Sequence, residues 1–187
     1  MPRYYEFEVS LIGIKPKIFR RFVLPTSHTF EDLHEAIQNA CGWEYAHLHS
    51  FQDPKGNEFA VGSEVDTDMG WGPKVPKDKR VKLYSYFGPN GDMNKHCTYL
   101  YDFGDSWEHD VKLVRIFESE ERFERRLLDG ARSFPPEDCG GVWGYEECLE
   151  AVTAKKKSKD MKERLEWLGD WKPEAFDLEE VRAEFDQ

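Results

Sequence analysis

The stretch YLYDFGDSWEHDVKL, Tyr99–Leu113, sets two apolar-alternating runs on either side of Gly104, Asp105 and Ser106. A side-chain period of two is strand geometry. It puts Tyr99, Tyr101 and Phe103 on one face, and Trp107, His109, Val111 and Leu113 on one face of the following strand. Gly104 supplies the positive backbone dihedral a tight connection wants, and Asp105 and Ser106 can bond the turn's own amides. A hairpin of Lys95–Phe103 and Trp107–Phe117 is therefore expected. The turn accounts for residues 104–106 but not for Asp102, which interrupts an aromatic strand, nor for His109 on an apolar face. An imidazole there can ligate a metal, act as a base, or bond to Asp102 or Asp105.

The rest of the chain supplies partners for this hairpin. Tyr4–Ile14 alternates, with Tyr5, Phe7, Val9 and Leu11 opposite Glu6, Glu8 and Ser10, and Ile18–Leu24 returns after a turn containing Pro16. Thr29 with Asp32 three residues on is close to a capping box. Phe30, Leu33, Ile37, Ala40 and Cys41 recur at helical spacing, and Gly42 stands where a helix ends, which predicts a helix over Phe30–Cys41. Tyr45–Gln52 and Glu58–Val61 are expected as strands, Gly62–Lys79 as a long loop containing Trp71, and Arg80–Phe87 as a strand or a short helix. Glu118–Leu128, Tyr145–Ala154, Met161–Leu168 and Asp177–Phe185 are expected as helices. The order implies an α+β fold with a mostly antiparallel sheet and a ββαββ opening, β-grasp-like in outline. A single domain over 1–187 follows, with the sheet and one helix in 1–117 and a helical extension in 118–187.

Composition bounds the function. The 187 residues, 39% hydrophobic and 14% aromatic, suffice for a substantial core. A net charge of -11 disfavours general binding to nucleic acid, which draws on cationic contacts to phosphate. The basic stretches are KPKIFRR, with Arg20 and Arg21, and Lys155–Lys159, the latter flanked by acidic helices. No apolar run approaches the ~20 residues of a membrane span, and MPRYYEFEV has no signal-peptide core, so cytoplasmic residence is the expectation. Cys41, Cys97, Cys139 and Cys148 form no C-x-x-C pair and are expected as reduced thiols.

Two further segments carry chemistry. In WEYAHLHSFQD, His47 and His49 are two apart, so on a strand their imidazoles point one way. Zinc wants three or four ligands, and the others would come from His109, Asp102, Asp105 or Glu137. In FPPEDCGGVWGY, two prolines fix an extended approach, Glu137 and Asp138 follow, and Gly140-Gly141 lets the backbone approach something closely. Cys139 there has no His at a spacing that would mark a nucleophile, and a rigid docking loop is the plainer reading. Trp71, Trp143, Trp167 and Trp171 fall in loops and helix ends and suit a groove for ring-bearing or peptide ligands. DFG evokes the kinase magnesium triplet, but no Gly-rich nucleotide loop or H-R-D segment accompanies it.

Taken in order, KIFRRFVLP, TFEDLHEAIQNACGWEYAHLHSF, YLYDFGDSWEH, PPEDCGGVWGYEECLEAV and FDLEEV resemble the Ri-plasmid pRiA ORF-three-like family over about Tyr4–Phe185. The resemblance implies a fold shared with uncharacterised bacterial and archaeal proteins, some from plasmids or insertion elements and a few labelled resolvase-like. It carries over no active site. Serine recombination needs a Ser ringed by arginines, whereas Ser106 sits among Asp102, Asp105 and Glu108. The resulting expectation is a binding or accessory module with an unidentified protein or small-molecule partner. Its groove is lined by Trp43, Asp102, Asp105, Trp107 and Trp143. One alternative is a divalent-metal hydrolase, zinc being one candidate ion, with His47, His49 and His109 as ligands and Glu137 as general base. Another is a mobile-element accessory touching nucleic acid through Arg20, Arg21 and the Lys155–Lys159 run.

Overall fold

Alternation becomes sheet in seven places. A computed structural model describes residues 1–66 and 74–187; most of MGWGPKVPKDK's glycine-rich start, including Trp71, lies outside the described residues. The strands are β1 (Arg3–Leu11), β2 (Phe19–Pro25), β3 (His49–Gln52), β4 (Glu58–Val61), β5 (His96–Tyr101), β6 (Trp107–Glu118) and β7 (Arg126–Ala131). They form one antiparallel sheet in the order β4-β3-β5-β6-β1-β2-β7. The helices are α1 (Phe30–Cys41), α2 (Leu83–Phe87), α3 (Gly141–Thr153), α4 (Lys159–Leu168) and α5 (Leu178–Phe185). The α+β expectation holds, as does the ββαββ opening in outline.

Register puts one row of large rings across the sheet. Phe51 pairs with Tyr99, Tyr99 with His109, and His109 with Leu11; one step along, His49 pairs with Tyr101 and Tyr101 with Trp107. All seven side chains are buried, and α1 covers them, with Phe30 edge-on to Phe51 at 4.8 Å. The capping box is present at Thr29 and Asp32, and Gly42 closes the helix at φ 74. The other face of the central strands is polar: Arg115 bonds the buried Glu6, while Arg21 pairs with Glu6 and Glu8. One face dry and one face charged is the usual economy of an antiparallel sheet.

Three local expectations are corrected. The segment Glu118–Leu128 is not a helix: β6 runs to Glu118, and β7 begins at Arg126 and pairs with β2. The bare edge of β2 offers a row of unpaired amides and carbonyls, and burying Leu127 against it outweighs a helix with few apolar residues to bury. The region after residue 117 thus donates a strand to the sheet and is not all helical. Second, β3 is shorter than Tyr45–Gln52, because Tyr45 takes a left-handed φ of 61 and residues 45 and 46 bond side chains, Gln38 Oε1 and the Tyr101 hydroxyl. Third, the ambiguous Arg80–Phe87 stretch resolves into the end of a 3-10 turn, Asp78–Arg80, followed by α2.

Arg20 and Arg21, adjacent on β2, go to opposite faces. Arg20 is 4% exposed; it donates to the carbonyls of Phe19, Ala40 and Ala131 and lies between the rings of Phe134 and Phe176. Burial lowers its pKa to about 10, and its Nε serves the carbonyl end of α1. Cys97, Cys139 and Cys148 are buried, Cys41 is half-buried, and all four are free thiols.

Candidate metal centre

The hairpin turn is built by Asp102. Its backbone is left-handed, φ 56, and its Oδ1 accepts from the amides of Gly104 and Asp105, while Ser106 returns an amide to its carbonyl. Bonding its own turn through one oxygen leaves Oδ2 directed outward. Opposite stands His47, held just before β3 by the Leu48 carbonyl, which accepts from the Asp102 amide. From a third segment comes Asp138, also left-handed at φ 60, in the loop that enters α3. The ligand-competent atoms of His47, Asp102 and Asp138 all lie within 4.8 Å of one another.

The geometry at His47 is informative. Its Nε2 is 2.9 Å from Asp138 Oδ1 and 3.7 Å from Asp102 Oδ2. Yet that nitrogen is buried and has no hydrogen-bond partner among the described residues. Two carboxylate oxygens thus crowd one imidazole nitrogen without satisfying it. A divalent cation among the three atoms would satisfy all of them. One nitrogen with two carboxylate oxygens suits borderline or hard divalent ions, and three protein ligands leave a coordination position open.

The loop carrying Asp138 is fixed by its neighbours. Asp105 Oδ2 accepts from the amide of Gly140 at 3.0 Å, and a Cβ on Gly141 would stand 2.5 Å from the Asp105 carbonyl oxygen. The Gly pair therefore lets the α3 loop press against the hairpin turn. Glu137 completes the clamp: its carboxylate accepts from the Tyr101 hydroxyl and from the Glu44 amide. That engagement makes it an anchor for the 43–46 segment rather than a carboxylate open toward the cluster.

The other expected site residues disperse. His49 is not beside His47 on a strand; it is buried on β3 and bonds Asp78 Oδ2 through Nε2 at 2.7 Å. His109 is fully buried among Trp43, Tyr99 and Phe134, its Nδ1 shared between the carbonyls of Tyr99 and Trp107. Burial pushes its pKa down to about 4, so it is an uncharged core side chain whose Nε2 has no partner among the described residues. The set His47, His49, His109 does not converge. Trp107 is 2% exposed and core; Trp43 is buried, stacked on Tyr101 and bonded to the Pro135 carbonyl. Trp43, Phe134, Glu137 and Asp138 line part of a groove of about 570 Å³. Trp143, 82% exposed at the start of α3, is not among its lining residues.

Sequence reasoning passed over Asp138, Asp78 and His34. Asp138 sat next to the favoured Glu137 with nothing local to separate the two. His34 had a signal: it falls at position i+4 from Phe30, an imidazole on the apolar stripe of α1.

The fold and cluster define a class: a one-sheet α+β protein with α1 over a ring-rich face and a His–Asp–Asp cluster at the hairpin turn. Residues 3–180 match the family described as plasmid pRiA4b ORF-3-like protein, and the chain belongs to that family. Uncharacterized protein y4hQ of Sinorhizobium fredii is 36% identical over 180 residues, 96% of this chain and 86% of that one. The crystal structure of a protein of unknown function, MM3350 from Methanosarcina mazei Go1, superposes with a TM-score of 0.82 at 37% identity, covering 97% of this chain and 98% of that one. No activity accompanies either relative. Among the described residues, no helix is long and apolar enough to cross a membrane.

Proposed function

We propose that this protein is a divalent-cation-binding module whose ion is held by His47 Nε2, Asp102 Oδ2 and Asp138 Oδ1. The observation that carries the reading is the buried, unbonded His47 nitrogen facing two carboxylate oxygens from separate segments. Side-chain exposure rises from 13% at Asp102 through 29% at His47 to 69% at Asp138, so an ion could enter from the Asp138 side. Four free thiols fit residence in the cytoplasm. The open coordination position keeps metal-assisted hydrolysis as the second reading, with the ion rather than Glu137 activating water.

The nucleic-acid reading draws little support. Arg20 is buried, Arg21 is paired with two glutamates, Lys157 bonds the carbonyls of Ala151 and Val152, and Lys159 faces Glu163.

The test is a calorimetric titration of chelator-treated protein with Zn²⁺ and Mn²⁺, with Co²⁺ absorption as a report on ligand type. Binding at micromolar metal is expected, lost in His47→Ala and Asp138→Asn and kept in Asp105→Asn, whose amide oxygen can still accept from Gly140. Absence of micromolar binding, or binding indifferent to Asp138→Asn, would overturn the proposal.

A further inference from the structure

The groove of about 570 Å³ beside Trp43 is lined from three segments: the end of α1 with residues 42–46, the stretch 133–138 before α3, and residues 171–181 leading into α5. Its apolar lining is ring-rich, from Trp43, Phe134, Pro135, Pro136, Trp171 and Phe176. Phe176 has its place because β7 carries a glycine there. A Cβ on Gly130 would stand 2.6 Å from the Phe176 ring and 2.9 Å from Arg20 Cδ.

The strong side-chain donors of this lining are already engaged. Trp43 Nε1 donates to the Pro135 carbonyl at 2.8 Å, and Trp171 Nε1 to the Phe134 carbonyl at 3.0 Å. Both indoles therefore present carbon to the groove. Ser133 gives its hydroxyl to the carbonyls of Lys172 and Ala175. Arg20 is the one cation among the described lining residues. It serves three main-chain carbonyls and lies 4.9 Å and 4.3 Å from the ring centroids of Phe134 and Phe176. Held in that way and almost wholly buried, it does not neutralise the rim.

The rim is made of acceptors. Glu44 follows Trp43, Asp177 and Glu180 stand at the start of α5, and all three are exposed. Asp177 Oδ1 accepts the amides of Glu179 and Glu180 and so caps that helix. Glu137 is the anchor already described, and Asp138 closes the groove at the end where the proposed ion sits. Walls that offer ring faces and carboxylates, with their own donors turned inward, are complemented by a ligand that brings positive charge and N–H donors on a flat, weakly hydrated group. A guanidinium meets both conditions, since it stacks on aromatic faces and forks two N–H bonds to a carboxylate. An ammonium is a strongly hydrated point charge and meets only the second.

We propose that this groove docks an arginine-bearing peptide segment of a partner protein, its guanidinium groups stacked on the ring faces and bonded to Glu44 and Glu180, its apolar side chains against Pro135 and Pro136. A groove of this volume, lined from three segments, holds more than one side chain, which favours a peptide over a free guanidinium compound. The inference goes beyond the metal reading and does not need the ion, because Glu44 and Glu180 are not its ligands.

The experiment is a fluorescence-anisotropy titration of the chelator-treated full chain into fluorescein-Gly-Leu-Arg-Leu-Arg-Gly-amide, so that the outcome is independent of whether the metal centre binds an ion. Saturable binding at micromolar protein is expected, several-fold weaker when Lys replaces both Arg and lost when Glu replaces them. Glu44→Gln/Glu180→Gln changes two exposed side chains, should fold normally, and should bind about tenfold more weakly. Glu163→Gln/Glu166→Gln removes the same charge from α4 and should bind as the wild type does. Failure to saturate at millimolar protein, equal affinity for the Lys or Glu peptide, or equal weakening in the two double variants would each overturn the proposal. So would arginine amide competing as tightly as the peptide, since a free guanidinium compound would then suffice.

Discussion

His109 and His34 have the same side chain as the surface imidazoles but are governed by burial. Desolvation holds His109 down to about 4 and His34 to about 3, the latter helped by neighbouring His49, so both are uncharged when folded. In the unfolded chain each takes a proton near pH 6.5. Their contribution to stability is therefore complete above about pH 6.5 and is lost as pH falls from there toward 4, where the unfolded chain binds more protons. Each should cost about 1.4 kcal/mol per pH unit across that window. Urea midpoints measured from pH 7 to pH 4.5 should fall in the wild type. In His109→Phe, which removes one of the two titrations and keeps a ring in the aromatic cage, they should fall less steeply. Equal slopes would contradict the buried, uncharged assignment. Asp102 shows the same dependence on surroundings: one oxygen serves its own turn, a role the sequence reading had given to Asp105 and Ser106, and the other is defined only by what lies opposite.

At the level of elements, α1 is fixed at both ends, by different means. Its start is local: Thr29 Oγ1 accepts the Asp32 amide, and Asp32 reaches back to the Thr29 amide. Thr29→Ala should cost about 1 kcal/mol, readable as a shift in denaturant midpoint without change in slope. Its end is non-local, since the Ala40 carbonyl takes the Nε of Arg20 from β2. Arg20→Met should cost more than the cap does, because several carbonyls lose a donor in a buried setting. Finding Arg20→Met as mild as Thr29→Ala would mean that water replaces the guanidinium. The strand β7 makes a similar point. Nothing in RLLDGA forces a strand, but the edge of β2 and the underside of α5 do.

For the whole molecule, the proposed ion would join three segments far apart in sequence: the approach to β3, the β5–β6 turn and the loop into α3. An ion that binds only the folded chain stabilises it by mass action, by about 2.7 kcal/mol at a hundred-fold excess over Kd. A scan of melting temperature against Zn²⁺ or Mn²⁺ concentration should rise and should flatten in Asp138→Asn. A curve that ignores that substitution would place any bound ion elsewhere.

Strand periods, the Thr29 cap and the Gly42 stop were legible because each is written in neighbouring residues: a period, a capping side chain, a left-handed glycine; the hairpin was legible too, but its positive dihedrals fall on Asp102 and Ser106 and not on Gly104. The resemblance to a family was legible for the same reason, as an ordered string of such motifs. The site was legible only in part. His47 and Asp102 could be suspected as polar residues in an apolar neighbourhood, but their meeting with Asp138, the parting of His47 from His49, and the burial of His109 in hydrocarbon all depend on sheet register and on loops that close over long stretches of chain. A side chain's facing is decided by the pairing of its strand, and one residue of shift exchanges core for solvent. Tertiary structure alone therefore decided which imidazole faces a carboxylate and which is only part of the core.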